Sequence, residues 1–220
     1  MRNSSNAGHF VVLEGIDGAG TTTQTQKLVE RLRREREGVA MVRATREPSD
    51  GPIGALIRQV LSGRIVNPSW TTMALLFAAD RMDHVEAEIK PVLAQGGVVV
   101  SDRYDASSIA YQSVSSANEA DKADEASAAI DWIRELNRHA LRPGLTIVLD
   151  LPAELAARRR QARGHAPDLY EQPDTQRALA VFYRDLARHM PADRVVVIDG
   201  SGSIDEVHEL VLGAYRAGLT

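Results

Sequence analysis

A glycine-rich stretch near the start of the chain has the spacing of a phosphate-binding loop. It consists of Gly15, Ile16, Asp17, Gly18, Ala19, Gly20, Thr21 and Thr22. The apolar residues 10–13 precede it and residues 22–37, with helical character, follow it; such a loop needs this order of strand, turn and helix. Glycines let the backbone approach a phosphate closely, and the first N–H groups of the helix face the anion. The stretch predicts that the chain binds a nucleoside triphosphate.

The loop departs from its usual pattern at one position. Thr21 stands where such loops carry a lysine, whereas Thr22 stands where a hydroxyl holds Mg²⁺. Asp102 ends an apolar segment, where a carboxylate can hold the same ion; a helix cap or an ion-pair partner is its alternative role. Because threonine carries no charge, the sequence leaves open which group neutralises the phosphates on that side.

Three more charged side chains predict a second substrate. Asp17 is a poor neighbour for phosphate, so a sugar hydroxyl is the expected partner of its carboxylate. Arg46 and Arg103 each follow an apolar segment, and guanidinium groups suit bidentate binding of phosphate. Either arginine alone is more typical of an exposed or ion-paired residue, but together with the loop they indicate a substrate that carries a phosphate.

Phe77 and Arg81 are four residues apart in a helical segment, so they share one face of that helix. An aromatic ring with a donor one turn away could stack on a nucleobase and bind its edge. A phenylalanine of the core and a solvated arginine are the alternatives, and the spacing does not decide between them.

The composition favours a single domain and excludes several classes of protein. The 220 residues include 26 basic and 30 acidic side chains, and a net charge of −4 argues against a protein that coats nucleic acid. The absence of cysteine excludes disulfides and thiolate chemistry. Residues 1–8 form a polar N-terminal extension, and no apolar run approaches the roughly 20 residues of a membrane helix. A soluble, cytoplasmic protein without nucleic-acid or membrane partners is expected.

Five short apolar segments alternate with amphipathic helical segments along the chain. The apolar segments are residues 10–13, 39–43, 98–100, 145–149 and 195–198, and helical periodicity marks residues 24–37, 53–61 and 70–93. This alternation predicts an α/β fold with a parallel sheet flanked by helices. Ligands of such sheets bind at the carboxyl ends of the strands. Residues 113–127, which are small, polar and acidic, are predicted to be an exposed loop or a helix start.

The segment of about residues 158–174 has the composition of a lid over phosphate. The basic run of Arg158, Arg159 and Arg160 leads into residues 161–174, which are predicted to form a mobile loop. A solvated helix end, favoured by the helix dipole, is the alternative for the basic run.

Four motifs resemble those of the thymidylate kinase family, in the order and at the spacing of that family. They are GIDGAG at residues 15–20, TREP at 45–48, LFAADR at 76–81 and DRYDASSIAYQ at 102–112. The likeness runs from about residue 10 to the C terminus. It implies a P-loop kinase fold with a five-stranded parallel sheet and a lid. It also implies that the chain phosphorylates dTMP to dTDP with ATP and Mg²⁺, as a homodimer that supplies precursors of DNA.

The resemblance implies a role for each residue that would bind dTMP. Arg46 and Arg103 would bind its phosphate, Phe77 would stack on thymine, and Arg81 would bind the base edge. The other expected substrate-binding residues are Ser107, Ser108 at the second polar edge of the base, Asp17 at the 3′-hydroxyl, and Tyr111, which would crowd the 2′ position and disfavour ribose. The peptide bond that precedes Pro48 is expected to be cis.

The lid resembles the form of the family that carries arginines in the lid. Arg159 and Arg163 match lid positions and, with Arg103, are the expected catalytic residues. A further lid arginine of the family is replaced here by Leu169, whereas Arg158 and Arg160 are additional. One hypothesis is that Arg159, Arg160 or Arg163 replaces the charge missing at Thr21, and the alternative is slow turnover.

Two other functions stay open at this point. The chain could be a nucleotide-binding homologue with impaired catalysis, as the missing lysine suggests, or a kinase for another acceptor such as dUMP or a nucleoside. The complete set of acceptor-site residues argues against the first, and two arginines suited to phosphate argue against a nucleoside.

Overall fold

The computed structural model describes residues 8–35, 41–66, 68–119, 123–163 and 172–218, with side chains for all of these except 113–119, 123–127 and 163. The predicted N-terminal extension lies almost entirely outside the described residues. Within them, one parallel sheet has the strand order β2-β3-β1-β4-β5. Its strands are β1 (His9–Glu14), β2 (Val42–Arg46), β3 (Val98–Asp102), β4 (Leu145–Asp150) and β5 (Val195–Asp199). The predicted α/β fold with five parallel strands is confirmed.

Helices connect the strands and account for most of the remaining described residues. They are α1 (Thr21–Glu35), α2 (Pro52–Leu61), α3 (Trp70–His84), a π-helical segment (Val85–Ile89), α4 (Lys90–Leu93), α5 (Asp105–Glu119), α6 (Ala123–Leu136), α7 (Ala153–Arg163), α8 (Pro173–Arg184), α9 (Leu186–His189) and α10 (Ile204–Gly218). None of the described helices is long and apolar enough to cross a membrane.

The core lies on both faces of the central strand β1. Val11 and Leu13 belong to one cluster of buried side chains, and Phe10 and Val12 belong to another. Because successive side chains of a strand point to opposite faces, a strand covered on both sides must be apolar at every position. The continuous apolar run at residues 10–13 therefore accounts for the central position of β1 in the sheet.

The register of the strands brings the predicted site residues to one edge. Asp102 is paired with Leu13 on one side and with Arg46 on the other. The loop of residues 15–22 follows β1 directly. Hence the loop, Arg46 and the segment after Asp102 all lie at the carboxyl ends of adjacent strands, where the sequence predicts the ligands.

The end of strand β2 and residues 113–119 differ from the sequence predictions. Strand β2 ends at Arg46 rather than at residue 43, because Thr45 and Arg46 continue the pairing with Ser101 and Asp102 beyond the apolar run. Residues 39 and 40 lie outside the described residues. In the segment 113–127, which is predicted to be an exposed loop or a helix start, residues 113–119 complete α5, whereas residues 123–127 begin α6 and confirm a helix start. Packing between these two helices outweighs the weak local preference of the small polar residues.

The predicted helix over residues 70–93 is present, but its hydrogen bonding changes from α-helical to π-helical over Val85–Ile89. The π-helical segment separates α3 from α4, which has Pro91 in its first turn. Proline has no N–H to donate to the carbonyl group one turn earlier in an α-helix. A local π turn is one way to accommodate this missing hydrogen bond. For the predicted lid, α7 extends to Arg163 and α8 begins at Pro173; residues 164–171 lie outside the described residues.

Candidate active site

The loop of residues 15–22 has a conformation that only glycine adopts easily at three positions. Gly15, Gly18 and Gly20 have φ angles of 156°, 90° and 100°. A Cβ atom on Gly18 would also lie 2.5 Å from the carbonyl oxygen of Ala156 on α7. Helix α1 begins at Thr21, so the first N–H groups of its N terminus lack partners within the helix. The loop and the helix terminus together are suited to hold an anion.

Thr22 and Asp102 meet beside this loop. The Thr22 hydroxyl donates a hydrogen bond to Oδ2 of Asp102. Oδ1 of Asp102 is buried and has no hydrogen-bond partner among the described residues. No group of three or more potential metal-binding side chains occurs in the described part of the chain. One hydroxyl and one under-used carboxylate fit Mg²⁺, which commonly takes one or two protein ligands and completes its shell with water and substrate phosphates.

A cavity of about 190 Å³ opens next to the loop. Seven of the eight substrate-binding residues expected from the sequence line it: Asp17, Phe77, Arg81, Arg103, Ser107, Ser108 and Tyr111. The other lining residues are Glu47, Pro48, Leu61, Tyr104 and Gln112. The eighth expected residue, Arg46, lies at a neighbouring surface cavity that shares Pro48 and Leu61 with this one. The Glu47–Pro48 peptide bond is cis, as predicted.

Arg103 links the loop to the cavity. Its backbone has a φ of 72°, and its guanidinium donates to Oδ1 of Asp17 at 2.7 Å and to the hydroxyl of Ser107 at 3.2 Å. The guanidinium also lies over the ring of Tyr111, 5.3 Å from the centroid. Burial opposes its charge, but Tyr111, Asp17 and other neighbours raise the pKa of Arg103 well above the usual value. A permanent positive charge therefore stands between the loop and the cavity.

Asp17 is the loop residue that faces the cavity. Its carboxylate accepts hydrogen bonds from Arg103 and, at 3.0 Å, from the side-chain amide of Gln176 on α8. Its side chain remains 29% exposed. The carboxylate is thus oriented by two protein donors and stays accessible from the cavity.

A fully buried carboxylate, Glu14, joins three segments behind the cavity. It ends β1 and accepts hydrogen bonds from the backbone N–H groups of Tyr104 and Ser107, from the Ser107 hydroxyl at 2.7 Å and from the Tyr183 hydroxyl at 3.1 Å. Burial raises the pKa of Glu14 to about 7, although Arg103 and these hydrogen bonds act in the opposite direction. The strand before the loop, the start of α5 and helix α8 are held by one side chain.

Arg81 is buried rather than solvated, so one of its two sequence interpretations is excluded. Its side chain is 1% exposed and pairs with Glu47, whose Oε2 lies 2.7 Å from Nη2. The guanidinium also donates to Asn137 and, at 3.0 Å, to the Ser108 hydroxyl. His84 lies on the other oxygen of Glu47, at 3.2 Å. The structure therefore fixes a charged guanidinium at the wall of the cavity.

Arg46 has a different environment. Its side chain is 56% exposed and pairs with Asp50 at 2.7 Å. It shares the neighbouring surface cavity with Arg58 and Arg64. Arg46 is thus at the rim of the candidate site, where it could reach a ligand that extends out of the main cavity.

The three consecutive arginines of α7 have three different environments. Arg158 is exposed. Arg159 donates to the carbonyl oxygens of Gly200, Ser201 and Gly202, in the loop between β5 and α10, at 2.9 to 3.0 Å. Arg160 donates to the backbone carbonyl of Asp17 in the glycine-rich loop. The side chain of Arg163 lies outside the described part of the structure. The catalytic roles expected for Arg159 and Arg163 stay predictions.

Several residues of the site were not assigned to it from the sequence, among them Glu14, Gln112, Gln176 and Tyr183. Glu14 had a detectable signal, because it is an acidic residue that ends an apolar run directly before the loop. Gln112 lies within the fourth motif, and both polar atoms of its side chain are buried without a partner among the described residues. Gln176 and Tyr183 had no sequence signal, since the groups that they contact are far away along the chain.

Comparisons with known proteins agree with the motifs. The family model described as thymidylate kinase matches residues 13–211. A probable thymidylate kinase of Pyrococcus abyssi is 39% identical over 216 residues, covering 96% of this chain and 98% of that protein. The thymidylate kinase of Symbiobacterium thermophilum is 39% identical over 207 residues, covering 91% and 89%. A solved structure of the thymidylate kinase from Candida albicans has a TM-score of 0.78 at 25% identity, covering 96% of this chain and 92% of that one.

We expect Glu14 to make stability depend on pH. The pKa of its carboxyl rises from 4.5 to about 7 on folding, so the folded protein holds a proton that the unfolded chain releases. The free energy of unfolding should therefore fall as the pH rises between these values, by about 3 kcal/mol in total. Urea unfolding across that pH range should show this fall in the free energy of unfolding for the parent and not for Glu14→Gln. The control Glu30→Gln, at an exposed position of α1, should show the same pH dependence as the parent. If Glu14→Gln also shows the pH dependence of the parent, the prediction is refuted.

We expect the loss of one partner of the Glu47–Arg81 pair to destabilise the fold strongly. Glu47→Gln leaves a buried guanidinium without its counter-charge, and breaking such a pair typically costs about 3–5 kcal/mol. Glu88→Gln is the matched control, because Glu88 pairs at 2.8 Å with Arg43, which is 47% exposed. An exposed pair contributes about 0–1 kcal/mol. Similar losses of unfolding free energy in the two variants would contradict the assignment.

Proposed function

The chain belongs to the thymidylate kinase family and phosphorylates dTMP to dTDP, and we propose that it uses ATP and Mg²⁺ bound at the loop of residues 15–22. The observation that supports this most is the cavity beside the loop, lined by Phe77, Arg81, Arg103 and Tyr111. An aromatic ring, the buried Arg81, the partly buried Arg103 and a tyrosine next to a phosphate-binding loop are what a nucleoside monophosphate acceptor requires.

The proposed reaction depends on positioning and on neutralisation of charge rather than on a protein nucleophile. An oxygen of the dTMP phosphate attacks the γ-phosphorus of ATP, and ADP leaves. Arg103 stands between the loop and the cavity, and its guanidinium would contact the transferring group. Because Asp17, Ser107 and the ring of Tyr111 hold this guanidinium in place, it needs little reorganisation during the reaction.

Thr22 and Asp102 are the residues that would hold Mg²⁺. The unpartnered oxygen of Asp102 and the adjacent hydroxyl at the start of α1 support this assignment. When bound, Mg²⁺ neutralises charge on the phosphates of ATP. The N–H groups at the N terminus of α1 and in the loop would hold the same phosphates.

The walls of the cavity support an assignment for each part of dTMP. Phe77 would stack on thymine, and the buried Arg81, together with Ser108, would bind its polar edges. Asp17, oriented by Arg103 and Gln176, would accept a hydrogen bond from the 3′-hydroxyl. Tyr111 would limit the space at the 2′ carbon.

Release of ADP in a coupled assay, with a panel of acceptors, tests the function. We expect turnover with dTMP, less with dUMP, and little with thymidine, which has no phosphate for Arg46 and Arg103 to bind. Equal turnover with thymidine would refute the acceptor assignment. Binding of ATP without ADP release for any acceptor would favour the impaired homologue.

The homodimer implied by the family resemblance and the cytoplasmic location expected from the composition are also part of the proposal. Light scattering on the purified chain tests the first, and a fluorescent fusion in cells tests the second. A monomer at micromolar concentration would contradict the expected assembly.

We expect Arg46→Ala to weaken the use of dTMP selectively. Loss of a charged hydrogen-bond partner typically costs about 1.5–3 kcal/mol, which corresponds to roughly ten- to a hundredfold in kcat/KM for dTMP. The KM for ATP should stay close to that of the parent. Arg43→Ala removes another exposed arginine of β2 and should have little effect. Equal losses for both substrates in a folded Arg46→Ala variant would count against the assignment.

We expect Tyr111→Ala to reduce the preference for deoxyribose. The substitution opens space at the 2′ carbon, so the ratio of kcat/KM for dTMP to that for its ribonucleotide analogue should fall. Activity on both should also decrease, because the ring of Tyr111 supports Arg103. Tyr111→Phe keeps the ring and should keep the ratio. If Tyr111→Ala discriminates as sharply as the parent, Tyr111 does not select the sugar.

A further inference from the structure

We propose that Arg160 supplies the positive charge that the loop lacks at Thr21, by contacting the β- and γ-phosphates of ATP. The inference rests on the proposed use of ATP and concerns a residue outside the expected catalytic set. It follows from where the structure places the available cations around the glycine-rich loop.

A lysine elsewhere in the described chain does not replace the missing one. The sequence contains three lysines, Lys27, Lys90 and Lys122. Lys27 pairs with Asp205 and Lys90 with Glu86, while Lys122 lies outside the described residues. Thr21 itself is only 6% exposed and carries no charge. An arginine is therefore the natural candidate.

Arg160 is the member of the arginine run that reaches the loop. Its guanidinium donates to the carbonyl oxygen of Asp17, and its Cγ lies 3.0 Å from the place where a Cβ of Gly18 would be. The backbone of α7 is closer still, since the same Cβ would lie 2.5 Å from the carbonyl oxygen of Ala156. Because Gly18 has no side chain, α7 packs closely against the loop, and the side chain of Arg160 contacts the loop.

The neighbouring arginines have other partners. Arg159 binds three carbonyl groups of the loop before α10, and Arg158 is exposed. Arg103 also approaches Asp17, but through the carboxylate and as part of the acceptor cavity. Two guanidinium groups therefore meet at Asp17, Arg103 at its side chain and Arg160 at its backbone.

The chemistry of the guanidinium suits this task. It stays charged at any physiological pH and carries five N–H donors, so a contact with the Asp17 carbonyl is compatible with contacts to phosphate oxygens. The γ-phosphate binds next to such a loop, and AMP has neither a β- nor a γ-phosphate. Arg160 should consequently matter for ATP and ADP and not for AMP.

Binding measurements test this without requiring turnover. Calorimetric titration with ATP, ADP and AMP should show that Arg160→Ala and Arg160→Gln weaken ATP and ADP by roughly ten- to a hundredfold and leave AMP unchanged. The glutamine variant keeps a donor for the Asp17 carbonyl but loses the charge. If Arg160→Gln binds ATP like the parent, Arg160 only braces the loop and the proposal fails. Arg158→Ala is the matched control and should bind all three nucleotides normally.

A double-mutant cycle with Thr21→Lys tests the replacement itself. Removal of a preorganised electrostatic donor typically lowers kcat by roughly 10²–10³-fold, which we expect for Arg160→Ala in the parent. In the Thr21→Lys background the same change should cost less than about tenfold, since the lysine restores the charge. Equal losses in both backgrounds would overturn the proposal. A parent that binds ATP but does not phosphorylate dTMP would refute the proposed function alone, because the binding series would still decide the role of Arg160.

Discussion

A single buried carboxylate at the end of the central strand organises the site. Glu14 receives hydrogen bonds from the start of α5 and from Tyr183 on α8, directly before the chain turns into the glycine-rich loop. Carboxylate oxygens without access to water need hydrogen-bond donors from the protein, because an unpaired buried polar group costs about 1–3 kcal/mol. The loop, the segment that carries Arg103 and the helix that carries Gln176 consequently meet at one place.

The cavity beside this carboxylate is lined by charges that the protein orders before any ligand binds. Arg81 is held by Glu47, and Arg103 is held by Asp17 and Ser107. Buried ion pairs contribute little net stability, because the loss of hydration offsets much of the attraction. Their benefit here is positional: a reaction between two phosphates needs fixed positive charge, and an arginine locked by its neighbours supplies it without rearrangement.

The consequence of Thr21 for the charge of the glycine-rich loop depends on residues outside the loop. With Thr21 in place of lysine, the loop considered alone is deficient in charge. The contact of Arg160 with the Asp17 carbonyl, beside Gly18, places a cation of α7 on the same loop. The usual pattern of such loops has the charge within the loop. In this chain Arg160 of α7, which lies 143 residues after Asp17, provides it.

The sequence by itself determined the central strands, the glycine-rich loop and seven of the residues that line the cavity, because these follow from local apolar runs and from motifs of fixed spacing. It did not determine the end of β2 or the helical structure of residues 113–119, where pairing and packing with distant segments outweigh weak local preference. Only the tertiary structure separated the roles of Arg159 and Arg160, adjacent residues of one type. Their partners, Gly200 and Asp17, lie far away along the chain on opposite sides of the run, and folding alone decides which of them each guanidinium meets.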